Sequence, residues 1–346
     1  MKQLLQICLV LLLASGTCFA QSSEIDAYIK TGIDLYDNGD YRQAVEEFEK
    51  ALKADAKHPI ANYELSLTYL ALRDYDNAIL YADKAIKSKG SKDLKSQAYT
   101  NKGTALDLQG KPGAAVEAYK KAIKATPDHY LPYFNLGLTY YNTNNYNDAE
   151  QALISAVQLN PNHPSSHLLL GYTKQSQNLR AQSLLALYNF LLLEPGSERA
   201  ATAFKELQRM HKQGVKQGEG EGGGMNISIG MPKDGDDGFS AAELMISMMQ
   251  VSNAAVEKET GASPEQLFYN NTKSFFNVLG ELKKEKKGFW WNYYVNFFYD
   301  MSTSGNVEAF SYYISQSAGN DSTTGWLDQN QDKVQRLSDW YNQVKR

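Results

Sequence analysis

The sequence predicts an all-α chain: a solenoid of about five helix-turn-helix repeats with a capping helix, a Gly-rich linker and a small aromatic-rich helical C-terminal domain. Three observations predict it. Segments starting near Ile25, Pro59, Ser96, Tyr130 and Pro164 recur at a spacing of about 34 residues, the length of one helix-turn-helix unit. Composition changes abruptly between Gly214 and Gly238, where "GVKQGEGEGGG" interrupts the helical pattern. All four Trp (Trp290, Trp291, Trp326 and Trp340) lie beyond that break, so the two halves are built from different material.

Residues 1–20 read as a leader rather than as structure. Lys2 supplies a short positive region, and Leu4 to Leu13 is an apolar run too short to span a bilayer. Cys18-Phe19-Ala20 ends in a small residue before Gln21, which places signal-peptide cleavage after Ala20. The alternative, lipidation at Cys18, meets a poor match, because no Leu stands three before the cysteine. Cys8 and Cys18 both fall in this segment, so the mature chain is expected to hold neither a disulfide nor thiol chemistry. The expected location is a bacterial periplasm, outer envelope or the extracellular space, with no transmembrane span in the mature chain.

Residues 21–212 carry the repeats and their cap. A small residue lies midway along each first helix: Gly32, Ser66, Gly103, Gly137 and Gly171. Another lies early in each second helix: Ala44, Ala78, Ala115, Ala149 and Ser183. Two helices cross closely only where both lack bulk. A larger group then fills the next gap: Phe48, Tyr119, Leu153 and Leu187. Pro127, Pro161 and Pro195 follow second helices that proline cannot continue. Turns such as Asn38-Gly39-Asp40 and Gln109-Gly110-Lys111 join the helices of a pair.

This pattern resembles the tetratricopeptide repeat family over residues 25–197. The copies depart from it in places: Ala82 stands where a large residue is usual, an insertion falls near Asp93 to Lys95, and Arg180 stands where an aromatic is common. Ser197 to about Met210 reads as the helix that caps an open stack. The resemblance implies a superhelix whose first helices line a concave face. Ile29, Ile33 and Tyr36 then face that concavity, with counterparts Tyr63, Leu67 and Leu70; Thr100, Thr104 and Asp107; Phe134, Leu138 and Tyr141; Leu168, Tyr172 and Gln175. Most of these sets are apolar or aromatic, so a covering partner is expected.

Asn101 and Asn135 occupy equivalent places beside the stripe, where a carboxamide can pair with a peptide backbone irrespective of side chains. Groove-facing Asn in the resembled family is placed similarly and is associated with extended peptides. The equivalents elsewhere are Lys30, Glu64 and Leu169. Lys30 alone does not make the basic clamp that some family members use for a terminal carboxylate, so an apolar or backbone-read ligand is expected. The candidate partner-binding residues are Ile33, Tyr36, Tyr63, Leu67, Asn101, Phe134, Asn135, Leu138, Tyr141 and Tyr172.

Residues 213–238 read as a flexible linker whose glutamates argue against a phosphate-cradling loop. Within it "MNISIGMP" alternates briefly, as a short strand would. Residues 239–346 are helical again. Ala241 to about Lys258 places Leu244, Met248, Val251 and Ala254 on one side. Ser263-Pro264-Glu265-Gln266 is a helix start: a Ser cap, Pro in the first turn and Gln three after the Ser. The following helix carries Leu267, Asn271, Phe275, Leu279 and Leu282, weakened slightly by Gly280, and "KKEKKG" is its solvated end. "FWWNYYVNFFYDM" is aromatic on all sides, which predicts a central core helix, with a docking surface as the alternative. Asn306 to Ser317 and Val334 to Val344 complete the domain.

The net charge of −4 and the lack of a large basic block make nucleic acid a poor partner. His163 and His167 have a metal-like spacing, but Pro164 sits between them and no third ligand is evident, so inter-repeat polar contacts are expected. "DGDDG" lacks the closing Glu of a calcium loop, and no nucleophile elbow or paired-carboxylate signature stands out. No catalytic, cofactor or metal set is predicted. The sequence points to an exported, non-catalytic scaffold holding an extended apolar segment of a partner protein. The alternatives are a C-terminal domain that binds glycan or cell-wall material with the repeats as support, and C-terminal helices that cover the groove within the chain.

Overall fold

The computed structural model describes residues 22–213, 215–217, 225–227 and 238–344. The leader with Cys18 and most of the Gly-rich segment lie outside the described residues. Helix pairs begin with α1 (residues 22–37) and α2 (Tyr41–Ala54). They continue with α3 (Pro59–Ala71), α4 (Tyr75–Lys87), α5 (Lys92–Leu108), α6 (Pro112–Ala125), α7 (Tyr130–Asn142), α8 (Tyr146–Leu159), α9 (Pro164–Ser176) and α10 (Arg180–Leu193). The insertion near Asp93 to Lys95 extends α5, capped by Ser91, to 17 residues.

Each pair turns in the same way. One residue per repeat adopts the left-handed conformation: Gly39, Arg73, Gly110, Asn144 and Asn178. The residue after it donates its N–H back to the first helix: Asp40 to Leu35, Asp74 to Tyr69, Lys111 to Leu106, Asn145 to Tyr140 and Leu179 to Lys174, at 2.8–2.9 Å. The small residues act as the spacing predicts. A Cβ added at Gly32 would lie 2.5 Å from the Phe48 ring, and one at Gly103 would lie 2.6 Å from the Tyr119 ring.

The chain forms two compact units, one running to Asn145 and one from Tyr146. The division does not fall at the Gly-rich segment, and the reason lies in α10. Every residue of α10 from Ala181 to Leu192 is buried, because C-terminal helices pack on it. The helix α11 (Glu198–Lys212) is not a bare end: α12 (Ser240–Thr260) packs on it. Strands β1 (Val215–Gln217) and β2 (Met225–Ile227) pair antiparallel, Lys216 opposite Asn226, so the predicted strand at "MNI" has a partner that the sequence did not announce.

Helix α13 (Pro264–Leu282) starts at Ser263, whose hydroxyl accepts from the Gln266 N–H at 3.2 Å. It buries Phe268, Thr272 and Phe276 beside Asn271, Phe275 and Leu279, a wider face than expected. Gly280 has a packing role: a Cβ there would lie 1.8 Å from the Tyr299 ring. The aromatic run forms a π-helical segment, Trp290–Val295, leading into α14 (Asn296–Thr303). Trp290, Trp291, Tyr294, Phe297 and Phe298 are buried, which makes this run core. The helix α15 (Val307–Ser315), α16 (Asp321–Gln329) and α17 (Gln331–Gln343) follow; α16 was not evident in the sequence. Among the described residues no helix is long and apolar enough to cross a membrane.

Candidate functional site

In the first unit the helices α1, α3, α5 and α7 carry the candidate stripe. Ile33 and Tyr36 are half-buried and rest on a core of Phe48, Leu65 and Ile29. Ile29, expected to face the concavity, is itself core at 7 % exposure. Tyr63, Leu67, Phe134, Asn135, Leu138 and Tyr141 are half-buried. Side chains exposed more fully lie nearby: Ile60 at 42 %, Leu131 at 44 % and Leu108 at 57 %. Ile60 and Leu131 share one register, one helical turn before Glu64 and Asn135. Extending the stripe a turn toward each helix start would have found them.

The carboxamides are less available than their spacing implied. Asn101 is 8 % exposed, so it is not presented to solvent beside the stripe as expected. Its amide nitrogen meets no acceptor among the described residues. Asn135 donates to Thr104 Oγ1 on the preceding first helix, a long bond of 3.4 Å. The residue of α3 in the register of Thr104 is Leu67, which offers no acceptor to Asn101. Thr104 also receives the Tyr119 hydroxyl at 3.3 Å and donates to the Thr100 carbonyl at 3.0 Å.

Glu64 shares the register of these Asn residues. It is half-buried and makes no ion pair among the described residues. Burial, reinforced by the Asp37 charge, pushes its carboxyl up to about 7. Burial, with the charge of Glu64 and the neighbouring Tyr36, pushes the Tyr63 phenol up to about 12. Tyr36 is raised by burial and then by Tyr41, Glu64 and Asp37; its ring lies 5.2 Å from that of Tyr41. The near end of the stripe is therefore apolar, phenolic and carboxylic.

The second unit treats its polar groups differently. Tyr172 lies half-buried on α9. His163 bonds the Ser166 hydroxyl at 2.8 Å. The buried His167 uses both ring nitrogens, Nε2 toward the Pro161 carbonyl at 2.8 Å and Nδ1 toward the Tyr294 hydroxyl at 2.6 Å. A carbonyl only accepts, so Nε2 carries the proton and Nδ1 accepts from the tyrosine. The expected inter-repeat contact is thus largely one to the aromatic C-terminal run. Lys174, 3 % exposed, pairs with Glu150 at 2.5 Å, and Glu150 also accepts from the Trp290 indole at 2.9 Å.

Arg180, the departure from the usual aromatic, has a structural purpose. Its guanidinium donates to Glu243 Oε2 at 2.8 Å, the Glu243 carbonyl at 2.6 Å, Ser247 Oγ at 2.9 Å and the Gln213 carbonyl at 2.6 Å. Glu243 accepts in turn from the Ala181 N–H at 2.5 Å, so this clamp ties α12 to the start of α10. Deeper, the Tyr188 hydroxyl lies 2.7 Å from His211 Nε2 and 3.0 Å from Thr272 Oγ1. Burial raises the phenol of Tyr188 and holds His211 down at about 3. Tyr188 is wholly enclosed and cannot meet a substrate. Among the described residues no three His, Cys, Asp or Glu side chains gather as a metal set.

Two models described as "Tetratricopeptide repeat" match the chain, over residues 29–93 and 108–171. The N-terminal segment is a tetratricopeptide-repeat array. A TPR repeat-containing protein of Methanocaldococcus jannaschii is 33 % identical over 113 residues, covering 33 % of this chain and 19 % of its own. A small glutamine-rich tetratricopeptide repeat-containing protein of Saccharomyces cerevisiae is 32 % identical over 92 residues, covering 27 % of this chain and 26 % of its own. The chain thus spans about a quarter or less of these curated relatives. Among solved structures, pilF of Pseudomonas aeruginosa shares the fold at a TM-score of 0.50 and 20 % identity, over 55 % of this chain and 85 % of that one.

Proposed function

We propose that the protein is a non-catalytic scaffold whose tetratricopeptide groove holds an extended apolar segment of a partner protein. One observation carries the reading. The face of α1, α3, α5 and α7 offers Ile33, Tyr36, Tyr63, Leu67, Phe134, Leu138 and Tyr141 half-buried, edged by the exposed Ile60, Leu108 and Leu131. Such a surface gains by being covered, at about 25 cal/mol per Å² of apolar area. Asn135 lies among these anchors, and Asn101 joins only if its buried amide turns outward. Tyr172 is the corresponding group of repeat five. The chain is further proposed to be exported to a bacterial envelope or beyond, on the strength of the leader pattern over residues 1–20.

Tyr63→Ala combined with Phe134→Ala is expected to abolish recovery of the partner while the helical melting curve survives. Unchanged recovery rejects the groove. A mature chain beginning at Gln21 in the envelope fraction supports export; an intact leader on cytoplasmic protein opposes it. The rival reading, a glycan site on the C-terminal aromatics, is disfavoured by the burial of Trp290 and Trp291 and by the stacking of Trp326 on Tyr312 at 4.0 Å.

A further inference from the structure

Glu64 is the polar group of the groove that the packing leaves unexplained. Its register carries Lys30 in α1, Asn101 in α5 and Asn135 in α7. Asn135 finds Thr104 on the neighbouring helix. Glu64 finds no ion pair or side-chain hydrogen bond among the described residues, and Lys30 is exposed and does not reach it. On α3 it lies beside Tyr63 and one turn from Ile60 and Leu67, and Tyr36 and Asp37 of α1 lie close enough to interact with its charge. Asp37 makes no ion pair among the described residues either.

A half-buried carboxyl facing a second carboxyl is unfavourable in the free protein, through both desolvation and repulsion. An apolar side chain there would serve stability better. The surroundings specify what relieves the cost. Large apolar groups flank two neighbouring carboxyls, which suits a cation carried on an aliphatic stem: the stem covers Tyr36 and Tyr63 while the head favours the charged form of both carboxyls. An acidic segment or a free carboxylate end is repelled. We propose that the segment held in this groove carries a lysine or arginine within its apolar run, and that this cation pairs with Glu64 and Asp37 between Tyr36 and Tyr63. The inference rests on the groove reading above and names the chemistry of its occupant.

The test uses the full chain and fluorescein-labelled peptides of about nine residues, roughly 30 Å when extended. The peptides are apolar at alternate positions and carry Lys, Arg, norleucine or Glu at the centre. Lys and Arg peptides are expected to bind about tenfold more tightly than norleucine, a difference of about 1.4 kcal/mol, with Glu the weakest. Glu64→Gln is expected to reduce the advantage of Lys over norleucine, and Glu64→Gln with Asp37→Asn to erase it, with the norleucine affinity left in place. Glu64→Lys is expected to reverse the order in favour of Glu. Equal binding of Lys and norleucine, or an advantage that is undiminished in Glu64→Gln or persists in the Glu64→Gln, Asp37→Asn double variant, overturns the proposal. Peptides that bind irrespective of the central residue, yet fail with Tyr63→Ala and Phe134→Ala, keep the groove and sink the cation. No binding by any peptide counts against both.

Discussion

Helix α4 of the second repeat carries Asp76, Asp83, Lys84 and Lys87, and it buries Ala78, Ala82 and Ala85. Helix α10 of the fifth repeat carries no charge between Ala181 and Leu193, and it buries twelve consecutive residues. The two share a turn geometry and a place in the repeat. They differ in what lies on their outer side, which for α10 is the aromatic C-terminal helices. The buried charged groups follow the same division. In the second unit His167, Lys174, Glu150, Arg180 and Glu243 all have partners. In the first, Glu64 has none among the described residues, and the amide nitrogen of Asn101 meets no acceptor. One repeat plan thus serves two ends. Where the C-terminal helices cover it, the buried charged side chains find their partners within the chain; in the first unit the half-buried Glu64 does not.

The contrast breaks most visibly if the C-terminal core is damaged. Trp291 is 1 % exposed and stacks on Phe239 at 4.3 Å. Trp291→Ala is expected to cost about 3–5 kcal/mol. The remaining Trp fluorescence should report that loss, since every Trp lies in the second unit, while the first unit keeps its helical signal. A single melting transition shifted as a whole would mean that the two units do not unfold separately.

Acid should act on the same unit. His211 is held near 3 in the folded state against an ordinary value of 6.5. Between those values the unfolded chain binds the extra proton, so stability is present above about pH 6.5 and is withdrawn as pH falls, by about 1.4 kcal/mol per pH unit. Denaturant midpoints from Trp fluorescence at pH 7, 6 and 5 measure this, and His211→Phe should flatten the trend. A trend that survives His211→Phe assigns the acid sensitivity elsewhere.

Smaller effects sharpen the account of the first unit. Gly32→Ala forces a methyl against Phe48 and is expected to destabilise by about 1–3 kcal/mol in thermal melts. Arg73→Gly relieves a left-handed backbone at φ 61° and should be neutral or stabilising by up to about 1 kcal/mol. A loss on Arg73→Gly would show that the side chain, not the backbone, matters at that turn.

The repeat array was legible because its marks are local. A glycine beside a ring, a left-handed turn and a capping Ser each act over a few residues, and they recur. The core role of "FWWNYYVNFFYDM" was legible from aromatics on every side. The partition into units was not, because it depends on which helices cover α10, and that is a long-range fact. A signal existed in "SLLALYNFLLL", too apolar for an outer helix. Asn101 was misplaced because register alone does not say whether a side chain lies over or beneath the stripe. Glu64 went unremarked as a site because its interest lies in the partners it lacks, which only packing reveals.

Amide hydrogen exchange of the full chain, with and without the Lys-centred peptide, tests the central claim most directly. New protection is expected along α1, α3, α5 and α7, with residues 264–344 unchanged. Protection confined to 264–344, with the first helices unaffected, would place the binding surface on the C-terminal helices and contradict the account.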